Sequence, residues 1–509
     1  MGALQGKKIL IFQQRGWGKT IGRFLAKKLY EEDVRLSALT FKETTHQLIV
    51  NQPDIQYEHI VFGDEIMGNP QKYLAGNFYS LKEICKELGV NSVWPLVHSM
   101  RLFVKSYGDK YYYGFKQNIS DERIVEYVMA FYKSIKYFFD NFNPDIIICP
   151  TFGSLPHIMF NLYALKRGVP MIAITDSKVP GYYIFVEGYQ YDRGHFFDYI
   201  DTLNNQKIET PSRKRAQEFI RSFRTTFQSP VDAEQNNNLH QKTTGEKLKN
   251  YLSLLKQLLL WYIKKPKDVL KLGPTFEYRS PKILIRDHFA EISYRKFMEN
   301  YKYYPLETIK KYIYFPLQFQ PEETIDVRAP FFSNQIETAR LVAMALPDDY
   351  TLVVKEHPAM IGKRPPSYME KIARTPNVKL IDYRIPSEHV IKGAALLISP
   401  SSTTIAEAAF LNIPALQLGD LGTTLKLPNV TRHTDLTTLS VKIKEILAKK
   451  SPTKEYERRL ENFVAAIYDT GFDYNYIKMW ERGGENIQAL WNIYKNELER
   501  ILINNKKII

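Results

Sequence analysis

Cysteine is almost absent from this chain. Only Cys85 and Cys149 occur among its 509 residues, and Cys149 lies in the apolar run IIICP, where cysteine usually acts as a small buried side chain. Two cysteines exclude a framework of several disulfides and a zinc site built from cysteines. The core has to come from the 44% of residues that are hydrophobic, among them 34 Tyr and 29 Phe, which is enough for a folded protein.

Long apolar runs are also missing. No stretch of 18 consecutive apolar residues occurs, which excludes a helix that spans a membrane. The N-terminus, MGALQGKKILIFQQ, passes directly into a charged strand without the apolar segment of a signal peptide. We therefore expect a cytoplasmic protein, and any membrane contact to be peripheral, on the inner face of the cytoplasmic membrane.

Acidic residues are fewer than basic ones. The chain has 70 Lys and Arg against 55 Asp and Glu, a net charge of +15, which favours anionic partners: nucleic acid, an acidic membrane surface or phosphorylated substrates. The basic residues are scattered, apart from a concentration at 246–272, and no known nucleic-acid recognition motif accompanies them. We therefore predict no nucleic-acid partner.

The length and the order of apolar runs predict two α/β domains. Residues 1–205 begin with the strand KKILIF, the turn QQRGWGKT and an amphipathic helix, which indicate a Rossmann-like domain. A second series of strands and helices over 281–450 is expected to start with a strand at 281–289, PKILIRDHF. We expect the charged helical tail, 451–509, to pack back over the first domain.

Residues 206–280 separate the two predicted domains. They contain the Asn/Gln-rich linker SPVDAEQNNNLHQKTTG and then a helix over 246–272, in which leucines alternate with lysines around Trp261. Basic amphipathic helices with an interfacial tryptophan bind anionic membrane surfaces. A helix between domains, with its apolar face packed on the protein, explains the pattern equally well.

Three polar clusters follow apolar runs in the second half of the chain. Gln320 and Glu322 follow YIYFPLQF, Lys355-Glu356-His357 ends LVVKEHP, and Ser399 to Thr404 follow LLI. Each run is typical of a buried parallel strand, and ligands bind at the carboxyl ends of such strands. The three clusters therefore predict one crevice with the outline of a nucleotide-sugar site.

The chemistry of each cluster suggests a role. Ser401, Ser402 and Thr403 open a helix, whose free amides bind anions such as a phosphate, although a single hydroxyl would suffice for an ordinary cap. His357 and Lys355 can donate to a leaving phosphate. Glu407, one turn into the helix, is expected either to meet ribose hydroxyls or to complement the helix dipole.

Glu322 is our preferred carboxylate for activating an acceptor hydroxyl or attacking an anomeric carbon. Glu323 and Asp326 lie close enough in sequence to be alternatives.

The acceptor side is less distinctive. The segment GWGKT lacks the first glycine of a phosphate-binding P-loop, because Gln13 occupies that position. Arg15 and Gly16 are candidates to face an acceptor across the cleft, as are Asp176 and the TFGS turn at 151–154 at the ends of two predicted strands. Solvated loop residues are the alternative.

The segments PLQFQPEET, KEHP and SPSSTTIAEAAFLNIPALQLGD resemble the bacterial capsule polysaccharide biosynthesis glycosyltransferases, which are related to the Kdo (3-deoxy-octulosonic acid) transferases and have QPE and HP as active-site motifs. The resemblance covers about 310–420. It implies an α/β fold of GT-B type, with two Rossmann-like domains facing a cleft and an added helical segment. The C-terminal domain would hold the donor and the N-terminal domain the acceptor.

The resemblance also implies a function: transfer of a sugar, an acidic one such as Kdo, from a CMP-sugar to a glycan or lipid-linked acceptor. It implies catalytic roles for Glu322, His357 and Asp326 and no metal or cofactor; the sequence agrees in lacking a DxD pair at a strand end. The implied donor-binding residues are Gln320, Lys355, Pro358, Ser399, Ser401, Ser402, Thr403 and Glu407.

One departure from the family pattern concerns the key carboxylate. Characterised Kdo transferases have an aspartate directly after the glutamine motif, whereas Asp326 stands several residues beyond Glu322. Either residue can therefore be the nucleophile or base, and retention and inversion both stay open. A teichoic-type polyol-phosphate transferase and a UDP-sugar enzyme, either a hexosyltransferase or an epimerase, are alternatives on the same fold.

Overall fold

The computed structural model describes residues 2–100, 119–206, 208–227, 244–271, 281–449, 453–476, 479 and 487–505. The linker predicted before residue 244 lies largely outside these ranges. The strands are β1 (Lys8–Gln14), β2 (Arg35–Phe41), β3 (Tyr57–Phe62), β4 (Ile146–Ile148), β5 (Met171–Asp176), β6 (Tyr182–Val186), β7 (Tyr312–Pro316), β8 (Thr351–Lys355), β9 (Val378–Leu380), β10 (Leu396–Ser399), β11 (Ala415–Gln417), β12 (Val430–Arg432) and β13 (Phe472–Asp473).

Helices connect and cover these strands. In the first half they are Arg15–Lys19, Ile21–Glu31, Glu43–Val50, Gly63–Gly68, Pro70–Leu74, Leu81–Leu88, Trp94–Val97, Asp121–Asn141, Leu155–Leu165, His195–Gln206, Arg213–Thr226 and Thr244–Lys271. In the second half they are Pro281–Asn300, Glu323–Asp326, Gln335–Met344, Pro366–Ala373, Ser387–Gly393, Thr404–Phe410, Gly422–Leu425, Leu439–Leu447, Lys454–Thr470 and Ile487–Asn505.

The first sheet has the order β13-β6-β5-β4-β1-β2-β3. Strands β1 to β5 pair in parallel, while β6 is antiparallel to both β5 and β13. The order of the parallel strands reverses between β1 and β4, which is the switch point of a Rossmann-like sheet. The carboxyl ends of β1, β4 and β5 therefore lie at the same edge of this sheet.

The second sheet has the order β12-β11-β10-β7-β8-β9, and all its pairings are parallel. Counted from β7, this is the Rossmann order 3-2-1-4-5-6, with the switch point between β7 and β10. Every residue of β7 and β10 is buried, as expected for strands covered by helices on both faces. The α/β fold of GT-B type, with two Rossmann-like domains and an added helical segment, is thereby confirmed.

The C-terminal tail contacts the first domain. Strand β13 extends the first sheet beyond β6, and the Trp17 indole Nε1–H donates a hydrogen bond to the Tyr476 hydroxyl over 2.7 Å. Leu490, Tyr494 and Leu498 of the last helix are buried in the same cluster as Ile9 and other residues of β1. The tail thus contributes both to the sheet and to the core of the first domain, and the domain boundaries themselves stay predictions.

The strand predicted at 281–289 is wrong. These residues begin the 20-residue helix Pro281–Asn300, and the second sheet starts only at β7. The helix predicted over 246–272 is confirmed as Thr244–Lys271, and it packs against the helix Pro281–Asn300. Within the described ranges, none of the helices is both long and apolar enough to cross a membrane.

Candidate functional site

The site lies at the carboxyl ends of β7, β8 and β10, which are neighbours in the second sheet. Across the switch point, the Gln318 side-chain amide after β7 donates to Ser399 Oγ at the end of β10, 3.1 Å away. The Gln318 carbonyl accepts a hydrogen bond from Arg364, which follows β8. The three predicted polar clusters therefore belong to loops that are in direct contact.

Two of the predicted residues hold the loop after β7 in place. Gln320 donates to the Ser333 carbonyl over 3.0 Å and to Asp326 Oδ1 over 3.4 Å, and it accepts from Gln335 over 2.6 Å. Asp326 Oδ2 accepts the Glu322 backbone N–H over 3.1 Å. Both Gln320 and Asp326 are 2% exposed, so their side chains are committed to the loop itself.

Glu322 is placed differently from Asp326. Its side chain is half-buried, and its Oε2 accepts a hydrogen bond from the Thr324 hydroxyl over 2.6 Å. A substrate can reach a half-buried carboxylate, whereas a carboxylate enclosed within its loop has to be exposed first. Glu322 is thus the more exposed of the two carboxylates, and catalytic roles for Glu322 and Asp326 both stay predictions.

His357 lies at the exit of β8 with a defined tautomer. Its Nδ1 accepts the Ala359 backbone N–H over 3.1 Å, so in the neutral ring the proton is on Nε2. Burial lowers the His357 pKa to about 4, and the charges of Arg364, Lys355 and Lys363 act in the same direction. At neutral pH His357 is therefore an uncharged Nε2–H donor.

Buried charges surround the His357 loop. Glu356 accepts the His357 backbone N–H over 2.7 Å and pairs with Arg364 over 2.5 Å. Lys355 is 4% exposed and donates to Ser387 Oγ over 3.2 Å. Burial lowers the Lys355 pKa to about 8, although the negative charges of Glu407 and Asp382 oppose this. Lys355 thus lies deeper than a surface lysine, and it stays cationic below about pH 8.

The hydroxyl-rich loop after β10 has more internal partners than predicted. Ser401 Oγ donates to the Thr324 carbonyl over 2.6 Å, which connects this loop to the one carrying Glu322. Ser402 Oγ accepts the Thr404 N–H over 3.1 Å, and Ser399 accepts from Gln318. Three hydroxyls therefore have partners within the protein, and phosphate binding by Ser401, Ser402 and Thr403 stays a prediction.

Glu407 lies in the short helix that follows this loop. It is 3% exposed, and its charge acts on Lys355 and on the buried Tyr314. Glu407 is thus an interior carboxylate. Pro358, which follows His357, begins a short 3-10 turn that ends at Met360.

Lys178 connects the two domains at the site. Its Nζ donates to Asp176 Oδ2 over 2.7 Å and lies 3.5 Å from Thr403 Oγ1. The residue is 7% exposed and has φ +73°, a left-handed conformation that is uncommon for lysine and clusters at functional positions. The end of β5, with the predicted acceptor residue Asp176, therefore meets the predicted donor loop.

A second contact between the domains involves Glu323. Its carboxylate accepts hydrogen bonds from Thr151, Tyr191 and Arg328 over 2.5, 2.7 and 2.6 Å, and the Arg328 guanidinium lies 3.4 Å from the centre of the Tyr191 ring. Burial raises the Glu323 pKa, but Arg328 and the three hydrogen bonds outweigh it and lower the pKa to about 2. Glu323 is therefore an ionised carboxylate at neutral pH, and its three partners join loops of the two domains.

Arg15 and Gly16 lie at the end of β1. Arg15 is exposed with φ +48°, its carbonyl accepts from the Thr45 hydroxyl over 3.2 Å, and Gly16 accepts from Thr20 over 3.0 Å. Gly18 allows the close approach of this turn, since a Cβ there would lie 2.8 Å from the Gln13 carbonyl carbon. Acceptor contacts for Arg15 and Gly16 stay predictions.

Sequence analysis missed Lys178, Arg364 and two of the Glu323 partners, Tyr191 and Arg328, whereas the third partner, Thr151, belongs to the TFGS turn that it named. The position of Lys178, two residues past Asp176 at a strand end, was the one available signal. In the described part of the chain, no group of three or more His, Cys, Asp and Glu side chains is placed to hold a metal ion.

No protein-family model matches the chain, and no curated protein matches its sequence. Among solved structures, the chain is similar to a Thermosulfurimonas dismutans KpsC beta Kdo 2,7 transferase, at 11% identity and TM-score 0.35, over 72% of this chain and 89% of that one. It is also similar to CalG4, the calicheamicin glycosyltransferase, at 12% identity and TM-score 0.26, over 97% and 99% of the two chains. UDP-GlcNAc 2-epimerase from Methanocaldococcus jannaschii matches at 12% identity and TM-score 0.25, over 90% and 98%.

Proposed function

We propose that the protein is a glycosyltransferase of surface polysaccharide biosynthesis, which transfers an acidic sugar such as Kdo from a CMP-sugar to a glycan or lipid-linked acceptor. One observation supports this most: the loops carrying Glu322, His357 and Thr403 adjoin at the switch point of a Rossmann sheet, and Lys178 of the other domain reaches the Thr403 loop. Two substrates held by two domains can meet at such a place. The proposed location is the cytoplasm.

The donor nucleotide is assigned to the second domain. Ligands of open α/β sheets bind in the crevice at the switch point, here between β7 and β10. Negative charge develops on the phosphate as the sugar leaves, and the His357 Nε2–H is a donor already oriented by its Nδ1 bond. Lys355 adds a positive charge below about pH 8. Because the proposed leaving group is a nucleoside monophosphate, the proposed reaction requires no metal ion.

Glu322 is assigned to the reacting sugar. It either removes the proton from the acceptor hydroxyl or attacks the anomeric carbon. The Thr324 hydroxyl holds its Oε2, which leaves a carboxylate that is oriented and still reachable. Lys178 and Lys355 both place positive charge near the crevice, which suits a donor sugar that carries its own carboxylate.

Nucleotide binding tests the donor assignment. A ligand bound only to the folded state raises its stability, by about 2.7 kcal/mol at a hundredfold excess over Kd. We expect CMP to raise the melting temperature of the purified protein more than UDP or CDP-glycerol at equal concentration. Stabilisation by UDP alone would favour the UDP-sugar hexosyltransferase or epimerase, and stabilisation by CDP-glycerol alone would favour the polyol-phosphate transferase.

Transfer itself is tested by mass spectrometry against a panel of nucleotide sugars. Glu322→Gln and His357→Ala should each abolish transfer while the fold is kept. Glu337→Gln, at an exposed carboxylate paired with Arg340, is the matched control and should retain full activity. Asp326→Asn should instead lower the melting temperature, because it disturbs the loop. Full activity in Glu322→Gln would remove that residue from the mechanism.

A further inference from the structure

The helix Thr244–Lys271 presents an apolar stripe to solvent instead of packing it on the protein. Leu252, Leu255, Leu259 and Tyr262 are spaced three or four residues apart, which places them on one face of the helix. They are 57%, 55%, 63% and 70% exposed. The half-buried Leu254, Leu258 and Trp261 lie on the adjoining face. The packing alternative left open by the sequence thus accounts for only part of the apolar surface.

The neighbouring helix Pro281–Asn300 carries a second stripe. Ile285, Phe289 and Ile292 have helical spacing and are 41%, 56% and 45% exposed. The two stripes are connected, because the Tyr251 ring packs edge-on against His288 at 4.8 Å, and His288 contacts Phe289 at 5.5 Å. Two helices therefore form one apolar surface, here called the helical-pair surface and defined by these two stripes.

Lysines border this surface. Lys249 and Lys256 are exposed and lie, by helical spacing, along one edge of the first stripe. Lys282 and Lys296 are exposed as well, and their spacing from Ile285 and Ile292 places them on the face of the second stripe. Between 246 and 271 the sequence has seven lysines and two acidic residues. Apolar side chains with a basic border match the interface of an anionic bilayer.

We propose that the helical-pair surface binds an anionic lipid bilayer at its interface, with both helices lying in the membrane plane. The apolar side chains enter the boundary between headgroups and acyl chains, and the lysines contact the lipid phosphates. A second copy of the chain fits less well, because it would bring the same lysines against each other. This contact is separate from the transfer chemistry.

Vesicle sedimentation of the full-length protein tests the proposal. We expect binding to vesicles of phosphatidylcholine with phosphatidylglycerol, and much weaker binding to phosphatidylcholine alone. The double variant Leu255→Ser/Leu259→Ser should bind at least about tenfold more weakly, because it removes two apolar side chains that would enter the bilayer. The matched control, Met344→Ser/Val441→Ser, removes two exposed apolar side chains elsewhere, 64% and 58% exposed, and should bind as the wild type does.

Three further measurements complete the test. Phe289→Ser should weaken binding as well, whereas Phe78→Ser, at a side chain 77% exposed, should not; equal effects would overturn the role of the second helix. Vesicle binding by the variant Lys249→Gln/Lys256→Gln should depend less on phosphatidylglycerol than binding by the wild type does. The control variant Lys444→Gln/Lys449→Gln should show the wild-type dependence. Two outcomes would overturn the proposal: unchanged vesicle binding by the double leucine variant, or a wild-type dimer in sedimentation equilibrium that is absent in this variant.

Transfer to a water-soluble acceptor should stay the same in all these variants. A failed membrane contact is therefore distinguishable from a failed glycosyltransferase assignment.

Discussion

Burial lowers the pKa of two basic side chains at the end of β8, Lys355 and His357, and the two differ in charge at neutral pH. His357, with a pKa of about 4, is neutral throughout the physiological range and can only donate from Nε2. Lys355, with a pKa of about 8, remains mostly charged at neutral pH. One loop thus supplies a neutral donor and a cation, and an incoming phosphate would further favour the charged form of Lys355.

The lowered pKa of Lys355 has a consequence for stability. An unfolded lysine keeps its proton up to about pH 10.5, whereas the folded protein loses it near pH 8. Between these values the unfolded state binds more protons, so this residue makes the free energy of unfolding rise with pH. We expect wild type to gain up to about 3 kcal/mol relative to Lys355→Met from pH 7.5 to 10.

Urea denaturation at several pH values measures this gain. Lys392→Met, at an exposed lysine paired with Glu388, is the control and should show no pH-dependent difference from wild type. A constant difference between wild type and Lys355→Met over the same range would contradict a buried amine at this position.

At the scale of elements, the central strands of the second sheet were predictable because nearly all their residues are buried. Strands β7, β8 and β10 have short runs of Val, Ile, Leu and aromatic residues between polar segments, and this pattern is specific for parallel strands with helices on both faces. The polar residues after each run then had to meet at one edge. Their mutual contacts, such as Ser401 with Thr324, follow from this topology.

Other features could not be found in this way. Residues 281–289 contain Ile283 and Ile285, which favour a strand locally, but the segment belongs to a long helix that packs on the preceding one, so tertiary packing overrode local preference. The contacts of Glu323 with Thr151 and Tyr191 join residues 172 and 132 positions apart. No local pattern encodes such a pairing, and only the arrangement of both domains reveals it.

The contact around Glu323 makes a prediction about the link between the domains. Arg328 is 1% exposed, so Arg328→Met leaves a desolvated carboxylate without its cation, which typically costs about 3 kcal/mol or more. The double variant Glu323→Gln/Arg328→Met should lose less than the sum of the two single variants, because the pair is coupled. Arg340→Met, at an exposed ion pair, should cost under about 0.5 kcal/mol.

The pH dependence of this contact has a definite sign. The folded pKa of Glu323 lies near 2, below its ordinary 4.5, so its stabilisation is complete above pH 4.5 and is lost as the pH falls towards 2. The difference between wild type and Glu323→Gln in chemical denaturation should therefore be larger at pH 7 than at pH 3. An equal difference at both pH values would exclude Glu323 as an ionised partner of Arg328.

At the scale of the whole molecule, the chain crosses from the first domain to the second and back. The helix Lys454–Thr470 packs on the helices His195–Gln206 and Arg213–Thr226, and its Leu460, Phe463 and Val464 are fully buried. Arg224, on the latter helix, bonds to the Phe410 carbonyl and to Glu457. Arg224 thus connects the tail to Phe410 of the second domain.

The return of the tail predicts that the first domain is not stable without it. A chain that ends at residue 449 would expose the side chains that pack against Leu460 and Phe463. It would also expose the edge of β6 that pairs with β13, and the surface of the first domain that Leu490, Tyr494 and Leu498 cover. Because several large side chains lose their burial, each worth about 1.5 to 3 kcal/mol, the loss exceeds the usual stability of a folded protein. We expect the first domain to lose its cooperative thermal transition in this fragment. Co-expression of residues 450–509 as a separate chain should restore the transition by docking onto the first domain. A fragment of residues 1–449 that melts cooperatively at the wild-type temperature would show that the tail is an accessory, not part of the core.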